Sequence, residues 1–236
     1  MTSVLYQHGT LALLVPGLLK GTMTMGELLE HGDYGIGTGE GLDGELIILA
    51  GKAYQVNGAG QVKLLSPDFT VPFASVHQGD YQVLATYQDL AAADFYQKVT
   101  TALASPNVFY SLKVQGTFRK MKTRAVDKTQ PPYATLVEAS EKQSIFEGEN
   151  IAGTLISYYS PELFHGAAVA GYHSHFLAAD HSMGGHILDF ELATGQVEVQ
   201  VFDTLEQHFP ITDADYMSHD FGEDEIGNSI STAEAE

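Results

Sequence analysis

Short runs in which apolar and β-branched residues alternate with polar ones recur along most of the chain, bounded by glycine, proline, asparagine or aspartate, and this period of two predicts strands. Residues 21–31, GTMTMGELLEH, break that period. They read as a threonine-capped short helix carrying Leu28 and Leu29 and ended by Gly32, with a glycine-rich loop after it. Glu45 to Leu49 and Lys52 to Val56 flank Ala50-Gly51 and predict a hairpin that continues into Val62 to Leu65. Tyr81 to Tyr87 is a further strand. From Asp89 to Ala104 the apolar residues Leu90, Ala93, Phe95, Val99 and Leu103 follow a helical period, with Asp89 as its cap and Pro106 beyond its end. Val108 to Phe118 returns to the strand pattern.

The basic stretch Arg119 to Lys128 runs into Thr129-Gln130-Pro131-Pro132, the sharpest punctuation in the middle of the chain, and a boundary there divides residues 1–130 from residues 131–236. In the second part Thr135 to Glu138, Ile151 to Tyr159, Ala167 to His175, His186 to Leu192 and Val197 to Phe202 read as strands with hardly any helical period between them. The acidic tail from Asp213 to Glu236 reads as a frayed terminus.

A length of 236 residues suits one large domain or two small ones, and 44% apolar with 17% charged residues is enough to bury a core. The formal charge of −19 repels phosphate backbones and anionic lipid, so nucleic-acid and membrane partners are not expected. The absence of cysteine removes thiolate zinc sites, iron–sulfur clusters and a cysteine nucleophile, leaving nitrogen and oxygen to hold any metal. Pro16-Gly17 interrupts the apolar run from Thr10 to Leu19 and no cation precedes it, so no export signal is expected and the cytoplasm is the default compartment.

Five of the ten histidines lie between His165 and His186. His173 and His175, two apart on a strand, place their imidazoles on one face, and the intervening residues let the chain return antiparallel so that His186 joins them. Gly184-Gly185 allows the close approach this requires. Three neutral imidazoles without a thiolate make the ligand pattern of a catalytic zinc or a related first-row ion. An isolated H-x-H is more often a solvated strand face, but the apolar flanks on both sides place these rings near a core. His165 and His181 belong to loops or an outer layer, with His181 the replacement ligand if one is needed.

The segment Gly35 to Gly44 contains a formal G-x-G-x-x-G, yet a strand follows it instead of a helix, and Glu40 and Asp43 would repel a pyrophosphate. Its glycines serve better as a side-chain-free wall that places Thr38 and Glu45; on the residues alone, Glu45 is a charged strand start. Five of the eleven cationic residues fall between Arg119 and Lys128, either as a local reversal of field for an anionic substrate or as a solvated stripe. Strand parity puts Lys120, Lys122 and Arg124 on one face and cannot choose among them. Arginine is the better grip for a carboxylate, because its planar fork binds both oxygens.

Taken together, GTMTMGELLEHGDYGIGT, LDGELIILAGKAYQV, Arg124 after Lys122-Thr123, and GYHSHF with GGHILDF resemble the α-acetolactate decarboxylase family over nearly the whole chain. The resemblance implies a two-domain α/β (α+β) homodimer, with a mixed sheet in the first domain and a β-barrel-like second domain carrying a zinc site. It implies His173, His175 and His186 as metal ligands, with Glu45, Thr38 and Arg124 as catalytic residues. It also implies a glutamate from the C-terminal tail, Glu234 in preference to Glu236. The implied reaction is decarboxylation of 2-acetolactate to (R)-acetoin, with the metal chelating the ketone and hydroxyl oxygens and stabilising an enediolate. Arg124 and Glu45 remain alternatives for the final proton donor. Two other readings stay open: a cupin-like metal enzyme, a dioxygenase or isomerase, using Asp180 after the H-x-H, and a non-enzymatic binding module with a structural metal.

Overall fold

The structure is a computed structural model that describes residues 3–103 and 105–234. It is mixed α+β and mostly strand. One seven-stranded sheet is built from β1 (Val4–His8), β3 (Tyr34–Thr38), β4 (Glu45–Leu49), β5 (Lys52–Val56), β6 (Val62–Leu64), β8 (Phe73–His77) and β14 (Thr204–His208), in the order β14-β1-β8-β3-β4-β5-β6. A two-stranded ribbon pairs β2 (Met23–Thr24) with β7 (Thr70–Val71). The third sheet contains β9 (Gln82–Ala91), β10 (Phe109–Ala125), β11 (Ser144–Ser160), β12 (Gly171–Ala178) and β13 (Gly184–Phe202). Its pairings run β10-β11-β12-β13 and return from β13 to β10, closing a circuit, with β9 added along β13.

The boundary expected at residue 130 does not separate these sheets. β10 lies before it, yet pairs with β11 and with β13 along nearly its full length, while β14, near the end of the chain, joins the first sheet beside β1. Proline punctuation marks a turn between two strands of one circuit, and backbone pairing overrides it. The strands are also longer than their alternation suggests. Lys120 and Lys122 interrupt the apolar pattern without ending β10, because they stand opposite Glu149 and Glu147 on β11 and Glu191 and Asp189 on β13, and opposite charges across strands are favourable. β13 runs from Gly184 to Phe202 as one strand where two were expected.

Among the described residues there are also six α-helices, α1 (Leu11–Leu14), α2 (Met25–Leu29), α3 (Ala92–Ala102), α4 (Leu136–Ser140), α5 (Ala214–Ser218) and α6 (Ile226–Glu234), and two 3-10 turns at Glu162–Phe164 and Phe221–Glu223. Thr24 caps α2 through a reciprocal box with Glu27, as expected of a threonine cap. Asp89 does not cap α3; it sits in β9 at φ 54 and pairs with Arg119, and the helix starts three residues later. Thr135 to Glu138 is not a strand either. Thr135 and Glu138 form a second capping box, which starts α4 at Leu136 despite the β-branched Val137. The acidic tail folds into α5 and α6, with Ile230 and Ala233 fully buried against Leu11, Leu14 and Leu136. No helix among the described residues is long and apolar enough to cross a membrane.

His77, fully buried on β8, has Nδ1 2.7 Å from the Tyr158 hydroxyl. Burial lowers its pKa from 6.5 to about 3, so the fold keeps it neutral. As pH falls below 6.5 the unfolded chain takes up a proton that the folded chain does not. This group therefore removes about 1.4 kcal/mol of stability per pH unit until its folded pKa is reached. His77→Phe, compared with the parent by urea unfolding at about pH 6.5 and about pH 4.5, is expected to lose less stability on acidification. Equal losses in the two proteins would assign the acid sensitivity to other groups.

Candidate active site

The registers of three strands set a row of side chains across the third sheet: Arg124 on β10 stands opposite His186 on β13, and His186 opposite His175 on β12. His173, two residues before His175, shares its face. The ring centroids lie 5.0 Å apart for His173 and His175, 5.0 Å for His173 and His186, and 5.5 Å for His175 and His186. One nitrogen from each ring lies within 4.8 Å of the others. Gly185 makes this approach possible. It adopts φ 125, and a Cβ there would fall 2.4 Å from the Arg124 carbonyl oxygen.

The hairpin of β3 and β4 supplies the facing wall, with Thr38 paired to Glu45. The His175 Nδ1–H donates to the Leu46 carbonyl oxygen at 2.8 Å, which leaves the Nε2 lone pair facing inward, 3.3 Å from the Glu45 carboxylate. Thr38 donates its hydroxyl to the Gly44 carbonyl at 2.9 Å and so braces the turn ahead of Glu45. From the end of the chain α6 brings Glu234 Oε2 to 3.6 Å from Arg124 Nη2, 3.8 Å from His173 Nε2 and 3.7 Å from His186 Nε2. Glu236 lies outside the described residues. A single cavity is lined by Thr38, Glu45, Arg124, His173, His186 and Glu234 on its polar side and by Leu11, Leu14, Leu42, Phe73, Val126 and Leu136 on its apolar side.

Burial controls the charges. It lowers the pKa of His173 and His175 to about 3, helped by Arg124 at His173 and first by His173 itself at His175, and it takes His186 well below its ordinary range. All three rings are therefore neutral, with lone pairs available to a cation. Burial also raises both carboxylates against the pull of Arg124, Glu45 to about 7. Arg124 is 4% exposed, and its Nε finds no hydrogen-bond partner. His175 Nε2 and Glu234 Oε2 are likewise buried and without a hydrogen-bond partner. Unsatisfied buried polar atoms are costly, and the three rings share one centre whose nitrogen donors fit a divalent first-row ion.

The remaining histidines and Asp180 stay apart. Asp180 is exposed and accepts from the Ser182 amide, which removes the acid that the cupin-like reading requires. His181 is exposed beside Tyr54, and His165 reaches the Gly227 carbonyl at 3.3 Å, touching the helix that carries Glu234. The cationic stripe divides: Lys120 pairs with Glu191 at 2.8 Å in solvent, whereas Arg124 turns into the cavity. The apolar wall and the Leu46 carbonyl had no signal in the residue pattern, since both depend on chain segments far apart in sequence.

A family model described as alpha-acetolactate decarboxylase matches residues 5–223. The chain belongs to the alpha-acetolactate decarboxylase family. A protein of that name from Lactococcus lactis subsp. cremoris is 41% identical over 234 residues, covering 98% of each chain, and one from Streptococcus thermophilus is 40% identical over 235 residues with the same coverage. The crystal structure of alpha-acetolactate decarboxylase from Bacillus subtilis superposes with a TM-score of 0.93 at 30% identity, covering 99% of this chain and 100% of that one. A Staphylococcus aureus structure, described as a protein of unknown function similar to alpha-acetolactate decarboxylase, gives 0.92 at 39% identity over 98% of this chain and 99% of that one. Glu234 lies beyond the residues that the family model matches, so its place in the site rests on α6 alone.

A ligand that binds only the folded chain raises its melting temperature by mass action, about 2.7 kcal/mol at a hundredfold excess over Kd. Chelator-treated protein is expected to melt lower than protein reloaded with a divalent first-row ion. In His175→Ala and His186→Ala that metal-dependent shift should vanish. A full shift in either variant would remove that ring from the ligand set.

Proposed function

We propose that this chain decarboxylates 2-acetolactate to (R)-acetoin and CO2, and that it does so with a divalent metal, zinc, held by His173, His175 and His186. The observation that carries the reading is the cluster of three neutral imidazoles, two of which line one cavity with Arg124, Glu45 and Glu234, the rest of that lining being largely apolar. 2-Acetolactate has a carboxylate, a hydroxyl and a ketone on neighbouring carbons and methyl groups elsewhere, which matches that division. The bound ion would supply a Lewis acid for the ketone and hydroxyl oxygens, where negative charge gathers as CO2 leaves.

Arg124 takes the carboxylate. Its guanidinium is dehydrated by the protein and its Nε is unengaged, so a bidentate contact replaces hydrogen bonds that the fold leaves open. Cleavage of the carbon–carbon bond leaves its electron pair in an enediolate, which needs one proton on carbon to become acetoin. Glu45 is the proton carrier in this reading. With burial pushing its pKa up to about 7 it can carry a proton near neutral pH. Delivery from the single side on which Glu45 stands gives one enantiomer. Thr38 fixes the turn before Glu45, and Glu234 closes the cavity from the α6 side. The sequence resemblance supports a homodimer, a cytoplasmic location and a division into two domains.

Purified protein supplied with 2-acetolactate is expected to release acetoin, to stop when a chelator strips the metal, and to recover when zinc is restored. Full turnover in metal-free protein would contradict the Lewis-acid role. Arg124→Lys is expected to retain zinc while kcat/KM falls roughly 100-fold or more, because a point charge does not hold the carboxylate as the fork does. A rate within a few-fold of the parent would take Arg124 out of the mechanism.

A further inference from the structure

Among the described residues, five that are not glycine adopt positive φ: Leu42, Ala50, Asp89, Asn150 and His181. Four of them are exposed, where such backbone commonly occurs in turns. Leu42 is the exception. At φ 58 it is 5% exposed, and its side chain lines the active-site cavity. Leucine is poorly suited to left-handed backbone, and a strained conformation persists where its surroundings over-determine it.

The surroundings here do so. The Gly41 amide donates to the Leu19 carbonyl at 2.8 Å, and the Gly41 carbonyl accepts from both the amide and the hydroxyl of Thr129 at 2.8 and 2.9 Å. The Gln55 side-chain amide donates to the Asp43 carbonyl at 2.7 Å, and the Gly44 carbonyl accepts from Thr38. The turn is thus clamped on both sides of Leu42, between the two residues Thr38 and Glu45 that face the metal-binding rings. A glycine would relieve the backbone, but would leave a gap in the apolar wall formed with Leu11, Leu14, Phe73, Val126 and Leu136. The other five wall residues sit on helices, strands or ordinary turns and are not held in strained backbone.

We propose that Leu42 is a specificity-determining residue: its clamped side chain sets the length of the alkyl group that the cavity admits. This rests on the reading of the chain as an acetolactate decarboxylase. With the carboxylate on Arg124 and the two other oxygens toward the imidazoles, the carbon substituents of the substrate are left to face the apolar wall. Because the turn cannot swing away, an added methylene meets Leu42.

The test compares kcat/KM for 2-acetolactate with that for two homologues, one carrying ethyl in place of methyl on the carbinol carbon and one carrying propanoyl in place of acetyl. The proteins are zinc-loaded parent, Leu42→Ala and Leu42→Met. In Leu42→Ala the ratio of larger to smaller substrate is expected to rise about tenfold or more for at least one homologue, the range that one methylene commands in an apolar pocket. Leu42→Met, similar in volume, is expected to stay near the parent. If Leu42→Ala does not fold, Leu42→Gly, which suits the backbone, takes its place with the same expectation. Ratios within twofold of the parent for both homologues, or an equal loss on all three substrates, would overturn the proposal. A parent protein that turns over none of the three overturns the functional reading itself, and the assignment of Leu42 with it.

Discussion

The hydrogen bond from His175 Nδ1 to the Leu46 carbonyl is the join on which the site depends. It crosses between the closed circuit of strands and the seven-stranded sheet, tying β12 to β4 at the residue next to Glu45. It also selects a tautomer. With the proton on Nδ1, the Nε2 lone pair faces the other two imidazoles; with the proton on Nε2, two lone pairs would oppose each other at Leu46 and an N–H would point at the shared centre. A single backbone carbonyl thereby fixes the ring's orientation and donor character and its spacing from Glu45. Because that carbonyl belongs to a paired strand, it cannot drift independently of the hairpin that carries Thr38 and Glu45.

Electrostatics around the join leave the cluster short of positive charge. Arg124 is the only permanent cation in it, and it pulls the pKa of both Glu45 and Glu234 down, yet burial outweighs it at each. The imidazoles cannot help, since burial and Arg124 together keep them neutral. A group of neutral donors and reluctant carboxylates inside a protein of net charge −19 is an arrangement that gains by accepting a cation. The buried Nε2 of His175 and Oε2 of Glu234, neither with a hydrogen-bond partner, are the local expression of the same imbalance.

What could be read from the chain divides by distance along it. The Ala50-Gly51 hairpin, the Thr24 cap and the H-x-H face are settled within a few residues, and each has the predicted form in the structure. The ends of the long strands do not. Lys120 and Lys122 look like the end of an apolar strand until their acidic partners, supplied by β11 and β13, are in place. Thr135 to Glu138 reads as a strand only when its short apolar pair is taken alone, while the decisive signal, Thr135 with Glu138, is two polar residues that bond the backbone and not the core. The proline punctuation after residue 130 is local in the same way: turn chemistry is decided by neighbours, whereas membership of a sheet is decided by partners tens of residues away.

The same division runs through the site. His173, His175 and His186 could be grouped because one strand period and one return of the chain bring them together. Arg124 could not be separated from the lysines that share its face, because parity says which residues align and not where along the strand solvent gives way to protein. At Lys120 that face meets water. At Arg124 it is covered by α6 and the hairpin carrying Glu45, elements from opposite ends of the sequence. Leu42 is a harder case still. Set among glycines, it looks like an incidental apolar residue in a loop, and its meaning rests on a φ angle that the clamped turn imposes and on a wall completed by residues as distant as Leu11 and Leu136. The chemistry of this site is therefore written in short motifs, while its selectivity is written in the packing between them.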